Sequence, residues 1–237
     1  MADLWWSLAT KSKNPLERKR YAIRARWWFE QAQADAAGIL KPKVEKRLRE
    51  IEESGLAKVS IDLLRLVDLQ KHVDQEKWRS QGGKLIAEGP GRCVVEIPYE
   101  PPEEYDITVR FTVQPTGTQA FQAIVRFRGC VGWHMGGGAN KKTFGFFTRT
   151  YADNKMKEIL EVSRVYTSLV QVRKDKIAGF VNGELVSEWK AERGQLGCHP
   201  DWQPKNDGRP ALGAEVGSVC FLSAEVVELR GRGKILR

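Results

Sequence analysis

Cysteine is scarce in this sequence and poorly spaced for a metal. Only four are present, Cys93, Cys130, Cys198 and Cys220, and none forms a Cys-x-x-Cys pair. A structural zinc site needs ligands at short, regular spacing, so none is expected. A site assembled in space from Cys198-His199 and Cys130-x3-His134 is the remaining alternative. Reduced, mostly buried thiols are the default for a cytosolic chain. A run of about 18 apolar residues is also missing, so no membrane span is expected. The opening MADLWWSLATKSK lacks the basic-then-apolar order of a secretory leader. A cytoplasmic location is therefore expected, unless the chain is cut from a longer exported one. There is no phosphate-binding loop, dinucleotide fingerprint or Ser-His-Asp order, so no cofactor is expected.

What is present is a basic chain with enough apolar residues for a real core. Its 237 residues carry a formal charge of +9 and are 41% hydrophobic. That length holds one large or two modest domains. Residues 11–26 hold seven Lys and Arg against one Glu. A basic helix attracts phosphates, but more often it is a solvated face. Nucleic acid is not the expected partner.

Residues 1–57 read as helices. Asp3 is a candidate N-cap, with Trp5, Leu8 and Ala9 on one face. Asn14-Pro15 marks a second start, followed by Ala22, Ala25, Trp28, Phe29 and Ala32 at helical spacing, with Gly38 as the stop. A third helix carries Val44, Leu48 and Ile51 and ends at Gly55. Trp5-x2-Leu8-Ala9 and Ala25-x3-Phe29-x2-Ala32 resemble the two helices of a tetratricopeptide repeat, with the turn between them enlarged by four residues. One repeat cannot bury its own apolar face. Trp5, Trp6, Trp27 and Trp28 therefore either pack inside the chain or form a partner surface.

Residues 58–237 change period. YDITVRFTVQ alternates, with Tyr105, Ile107, Val109, Phe111 and Val113 on one face. Gly82-Gly83 and Asn182-Gly183 are hairpin turns, because a type I′ turn needs positive φ at both central residues. Lys174-Asp175 makes another turn, and the stretch 170–189 reads as a three-stranded meander. About a dozen short strands with turns every 8–12 residues indicate an all-β sandwich or barrel.

Several stretches carry a family resemblance. They are Trp78 with Gly82-Gly83-Lys84-Leu85, EEYDITVRFTV (103–113), AIVRFRG (123–129), the meander 168–189 and VCFLSAEVVEL (219–229). In this order they resemble the concanavalin A-like jelly-roll domain of the bacterial 3-keto-disaccharide hydrolase type. The resemblance implies a mainly β protein, a jelly-roll β-sandwich preceded by an α-helical segment. Related glucanases place nucleophile and acid on a Glu-x-Asp-x-x-Glu strand, about 5 Å apart. Here Glu104-Tyr-Asp106 is followed by Val109 in place of the third carboxylate, so that pair is incomplete. The family's Asn-Ser-Gly before the Arg-bearing strand is absent as well.

Two irregular stretches are the candidate ligand site. RFRGCVGWHMGGGANKKTFG (126–145) has three consecutive glycines, which do not belong inside a strand. Around them stand Trp133, His134, Asn140 and Lys141. GCHPDWQPKNDGRP (197–210) carries Trp202. An aromatic face with amide and imidazole donors suits a sugar, by stacking and by hydrogen bonds to hydroxyls. Arg126 and Arg128 could line the same groove or pair with glutamates. The competing reading makes Trp133 a loop cap and Trp202 an edge-packing residue.

The expected function is a non-catalytic recognition module for a carbohydrate or a protein partner, part of a larger assembly or longer chain. The alternatives are a 3-keto-glycoside hydrolase and a structural subunit docking through the Trp-rich helices.

Overall fold

The computed structural model describes all residues except 37, 39, 58–59, 73–76, 89–90, 116–118, 128, 138–142, 148–158, 194–195, 216–218 and 237. The chain divides into two units, Met1–Val59 and Ser60–Arg237.

The first unit holds three helices, α1 (Ala2–Lys11), α2 (Pro15–Asp35) and α3 (Leu40–Ser54). The expected cap at Asp3 is corrected: Met1 is the N-cap and makes no side-chain cap bond. Asp3 lies instead in the first turn, where a carboxylate suits the positive end of the helix dipole. There it pairs with Lys43 (3.2 Å) and Arg47 (3.0 Å) of α3. Asn14 does cap α2, accepting the Glu17 N–H at 3.4 Å. α2 ends at Asp35, before Gly38, and α3 ends before Gly55, at φ +66°. Ala9, Ala22 and Ala25 are fully buried beside Phe29, Val44 and Ile51, because small side chains let the helix backbones approach. Leu8, the other apolar residue of the first-helix pattern, stays exposed.

The second unit opens with β1 (Ser60–Asp62), a 3-10 turn at Leu64–Leu66 and the short α4 (Leu69–His72). The strands continue as β2 (Trp78–Gln81), β3 (Lys84–Ala87), β4 (Arg92–Glu96), β5 (Tyr99–Glu100), β6 (Glu104–Val113) and β7 (Gln119–Ile124). Then come β8 (Val131–Gly137), β9 (Thr143–Phe146), β10 (Tyr166–Val172), β11 (Lys176–Val181) and β12 (Glu184–Lys190). β13 (Ala211–Glu215), β14 (Val219–Arg230) and β15 (Lys234–Ile235) close the chain.

Thirteen of these strands form a jelly-roll-type sandwich of two antiparallel sheets, and β5 pairs with β15 in a separate two-stranded sheet. One has the order β12-β11-β10-β6-β14-β3-β2, with β1 also on β14; the other runs β4-β13-β7-β8-β9. The twelve-residue β14 pairs with β6 along one edge. Along its other edge it pairs first with β3, at 219–221, and then with β1, at 225–227. The alternation expected for β6 holds: Tyr105, Ile107, Val109, Phe111 and Val113 all face the core. The meander also forms as expected. Asn182 and Gly183 turn at φ +51° and +86°, and the Asn182 side-chain oxygen accepts the Thr167 N–H at 2.9 Å.

The expectation that the consecutive glycines stand outside strands is corrected for Gly136 and Gly137. Val131–Gly137 and Thr143–Phe146 are paired strands, with a register shift between Met135 and Gly137. A glycine in the run does not end the strand, because the shift absorbs the irregular backbone there. The consequence is large for Trp133 and His134. Adjacent strand residues point to opposite faces. Trp133 turns into the core, and His134 turns to the outer face of the five-stranded sheet.

Candidate functional site

The outer face of the five-stranded sheet is built by Gln119, Phe121 and Ala123 of β7, Gly132 and His134 of β8, and Ala211 and Gly213 of β13. The segment after residue 196 lies on it. The Gly132 N–H donates to the Gly197 carbonyl (2.9 Å), the Gly197 N–H to Phe147 (3.1 Å), and the Phe147 N–H to Gly132 (2.7 Å). This backbone triangle docks the segment. His199 then caps a 3-10 turn at Pro200–Trp202, accepting the Asp201 N–H at 3.2 Å.

The turn delivers Trp202 onto the sheet. Its ring lies 4.7 Å from that of Phe121 at 30°, and 5.8 Å from His134, edge-on. Gly213 leaves the room: a Cβ there would stand 2.9 Å from the Trp202 ring. Arg92 covers the indole from outside, its guanidinium 5.7 Å from the ring centroid, and pairs with Asp201 and with Glu215 at 3.1 Å. Trp202 is only 3% exposed and His134 fully buried. Gln119 Nε2 lies 2.5 Å from His134 Nδ1. Burial, aided by the charges of His199 and Arg92, pushes the His134 pKa down to about 3. A neutral, solvent-excluded imidazole packs as an aromatic; it does not exchange protons near neutral pH.

The expected sugar-stacking site is therefore corrected. Trp133 has no exposed surface; its Nε1–H donates to Ser168 Oγ (3.0 Å) and its ring fills the space above Gly179. Trp202 presents no free face either. Arg126 sits at φ +71° and turns away to other partners, donating to the Pro101 carbonyl at 3.1 Å and pairing with Glu100 at 3.8 Å. Of the four expected ligand residues that the structure describes, only His134 and Trp202 come together. Asn140 and Lys141, and also Arg128, lie outside the described residues.

The carboxylates of β6 are engaged structurally. Asp106 pairs with Arg173 at 2.7 Å, and Glu104 accepts the Lys174 N–H at 3.1 Å. Val109, at the position of the third carboxylate, is fully buried in the core. Among the described residues no three of His, Cys, Asp or Glu are placed to hold a metal ion.

The four partner-surface tryptophans divide into two pairs. Trp5 and Trp6 pack partly against the helical core, Trp5 stacking on Tyr21 at 5.7 Å with Arg24 over its ring. Trp27 and Trp28 stay 51% and 41% exposed and meet edge to face at 4.8 Å. Trp28 lines an apolar groove of about 280 Å³ with Phe29, Ala32, Leu40 and Val44.

Sequence reasoning missed Gln119, Phe121, Phe147 and Arg92. All six residues of β7 are buried, so alternation could not show which of them face outward.

No protein-family profile matches this sequence, and no curated protein matches it. Solved structures are similar in fold. One is a proposed glycosyl hydrolase of Parabacteroides distasonis, 14% identical over 76% of this chain and 97% of that one, TM-score 0.49. Another is a carbohydrate-binding module from Bacillus subtilis, 8% identical over 71% and 95%, TM-score 0.46. A third is the kappa-carrageenase of Pseudoalteromonas carrageenovora, 11% identical over 73% and 96%, TM-score 0.48. Likeness at this level concerns the sandwich and says nothing of activity.

Proposed function

We propose that this chain is a non-catalytic recognition module. The observation that carries it is the fate of the groups an enzyme would need. Asp106 and Glu104 hold the β6 edge to the turn after β10, and His134 faces an amide and three aromatic rings in a dry layer. A 3-keto-glycoside hydrolase would be favoured by an acidic residue or a bound divalent metal facing His134 in a pocket. The Gln119 amide stands there instead.

The ligand class best supported by geometry is a protein partner, met by the helical unit. Trp27 and Trp28 form an exposed aromatic pair beside an apolar groove, and tryptophan is enriched at interface hot spots. This is also how a structural subunit of a larger assembly would dock. The test compares the full chain with the double variant Trp27→Ser/Trp28→Ser. The melting temperature should stay within about 2 °C, because the indoles are exposed. A photo-crosslinker at position 31 should trap one defined protein with the parent chain and none with the variant. Equal trapping by both chains ends this reading.

Carbohydrate binding by the sandwich is the second reading, favoured by one observation. Arg92, Asp201, His199 and Glu215 form a partly exposed polar rim around the Trp202 turn, with donors and acceptors suited to sugar hydroxyls. A glycan panel should then give millimolar to micromolar binding that Asp201→Ala removes; binding unaffected by that change, or no binding, sinks the rim as a sugar site.

A further inference from the structure

Two thiols 68 residues apart meet at the edge of the outer aromatic layer. Cys130 Sγ lies 3.1 Å from Cys198 Sγ, and both side chains are half-buried. Cys130 immediately precedes β8. Cys198 follows Gly197, the residue that docks its segment on Gly132 of the same strand. The backbone thus holds the two sulfurs in register, and they need to close by only about 1 Å to reach disulfide bonding distance. The other two cysteines are occupied elsewhere. Cys93 is buried against the Ala214 carbonyl (3.6 Å) on β13, and Cys220 lies on β14 in the opposite sheet.

We propose that Cys130 and Cys198 are a modification site, oxidised to an intramolecular disulfide by a small-molecule disulfide, which staples the Trp202 segment to the five-stranded sheet. The reaction is thiol–disulfide exchange. One cysteine thiolate attacks a sulfur of the oxidant RSSR, forming a protein–SR mixed disulfide and expelling RS⁻. The second cysteine gives its proton to water and attacks the protein sulfur of that mixed disulfide, expelling a second RS⁻. Protein dithiol and RSSR become protein disulfide and two RSH, with two electrons passing to the oxidant. The neighbouring sulfur and burial push the Cys198 thiol up.

The staple acts on a defined body. Cys198 is four residues from Trp202, whose ring closes over Phe121 and His134. With the thiols reduced, the segment is held by the backbone triangle, the Arg92–Asp201 pair and the indole contact. With the disulfide formed, it is tied covalently to β8, and the sheet face beneath it cannot open without breaking that bond. The reduced state expected of a cytoplasmic chain thus becomes one of two states, selected by the redox conditions around the protein.

The experiment uses the full chain, reduced and then exchanged into oxidised glutathione at neutral pH. Titratable thiols under denaturing conditions should fall from four to two. Non-reducing peptide mapping should join Cys130 to Cys198, and the melting temperature should rise by roughly 5–15 °C and return on reduction. Cys130→Ser should abolish the rise, and Cys93→Ser should keep it. Four free thiols after exchange, a cross-link to Cys93 or Cys220, or cross-linked dimers alone would overturn the assignment. The peptide map on the parent chain decides this even if the serine variants fold poorly.

Discussion

Gly179 and Trp133 form the contact on which the two sheets lock. A Cβ at Gly179 would stand 2.4, 2.5 and 2.9 Å from three atoms of the Trp133 ring. Gly179 does not need positive φ, so alanine suits its backbone and any loss comes from the ring alone. The ring cannot retreat cheaply. It is fully buried, bonded through Nε1 to Ser168 and packed 4.7 Å from Phe146. Overpacking of a filled core costs about 1–3 kcal/mol, and a strained or broken buried hydrogen bond adds about 1. Gly179→Ala should therefore destabilise by about 2–4 kcal/mol. For a chain of this size that lowers the melting temperature by roughly 5–15 °C. Urea denaturation of the parent, Gly179→Ala, Trp133→Phe and the double variant would measure the coupling. Trp133→Phe alone should also destabilise, because it empties space and leaves Ser168 Oγ without its donor. In the double variant the alanine has room, so its penalty should shrink by at least about 1 kcal/mol. An unchanged melt for Gly179→Ala, or strict additivity in the cycle, refutes the steric argument.

Three further outcomes follow. His134 has its folded pKa depressed to about 3, so the unfolded state binds its proton first as pH falls. Its contribution is complete above about pH 6.5 and is lost toward pH 3, at up to about 1.4 kcal/mol per pH unit. His134→Phe should show a shallower loss of stability between pH 6.5 and 4.5 than the parent; parallel curves would contradict a buried neutral imidazole. Gly183→Val should destabilise by about 1–3 kcal/mol through backbone strain alone, since φ is +86° and nothing lies within 4 Å of the added Cβ; an unchanged melt would contradict the turn. Trp202→Ala should destabilise by about 3–5 kcal/mol, as for other large-to-small changes of buried aromatics, and a melt within 1 °C of the parent would show that the indole is not the plug described above.

Much of the sandwich was legible locally. β6 alternates because only one of its faces is fully buried, and both glycine-bearing hairpins announce themselves through positive φ. The outer face was not legible, for two physical reasons. β7 is buried on both sides, which erases the period-two signal. The layer over it comes from residues about 70–80 positions further along, and no local pattern reports that return. The glycine run after Met135 hid a strand, and with it the opposite orientations of Trp133 and His134. The helices were legible from their spacing, but not which tryptophans stay exposed. Trp5 packs on Tyr21, whereas Trp27 and Trp28 face solvent.

The most direct test of a non-catalytic module is NMR of the intact chain mixed with a panel of glycosides and 3-keto-glycosides, followed for a day at neutral pH. The arrangement of Asp106, Glu104 and His134 predicts that anomeric signals of the starting glycosides persist undiminished, whether or not saturation transfer shows binding. New reducing-end signals that appear with the parent chain and vanish with Asp106→Asn or His134→Phe would contradict it.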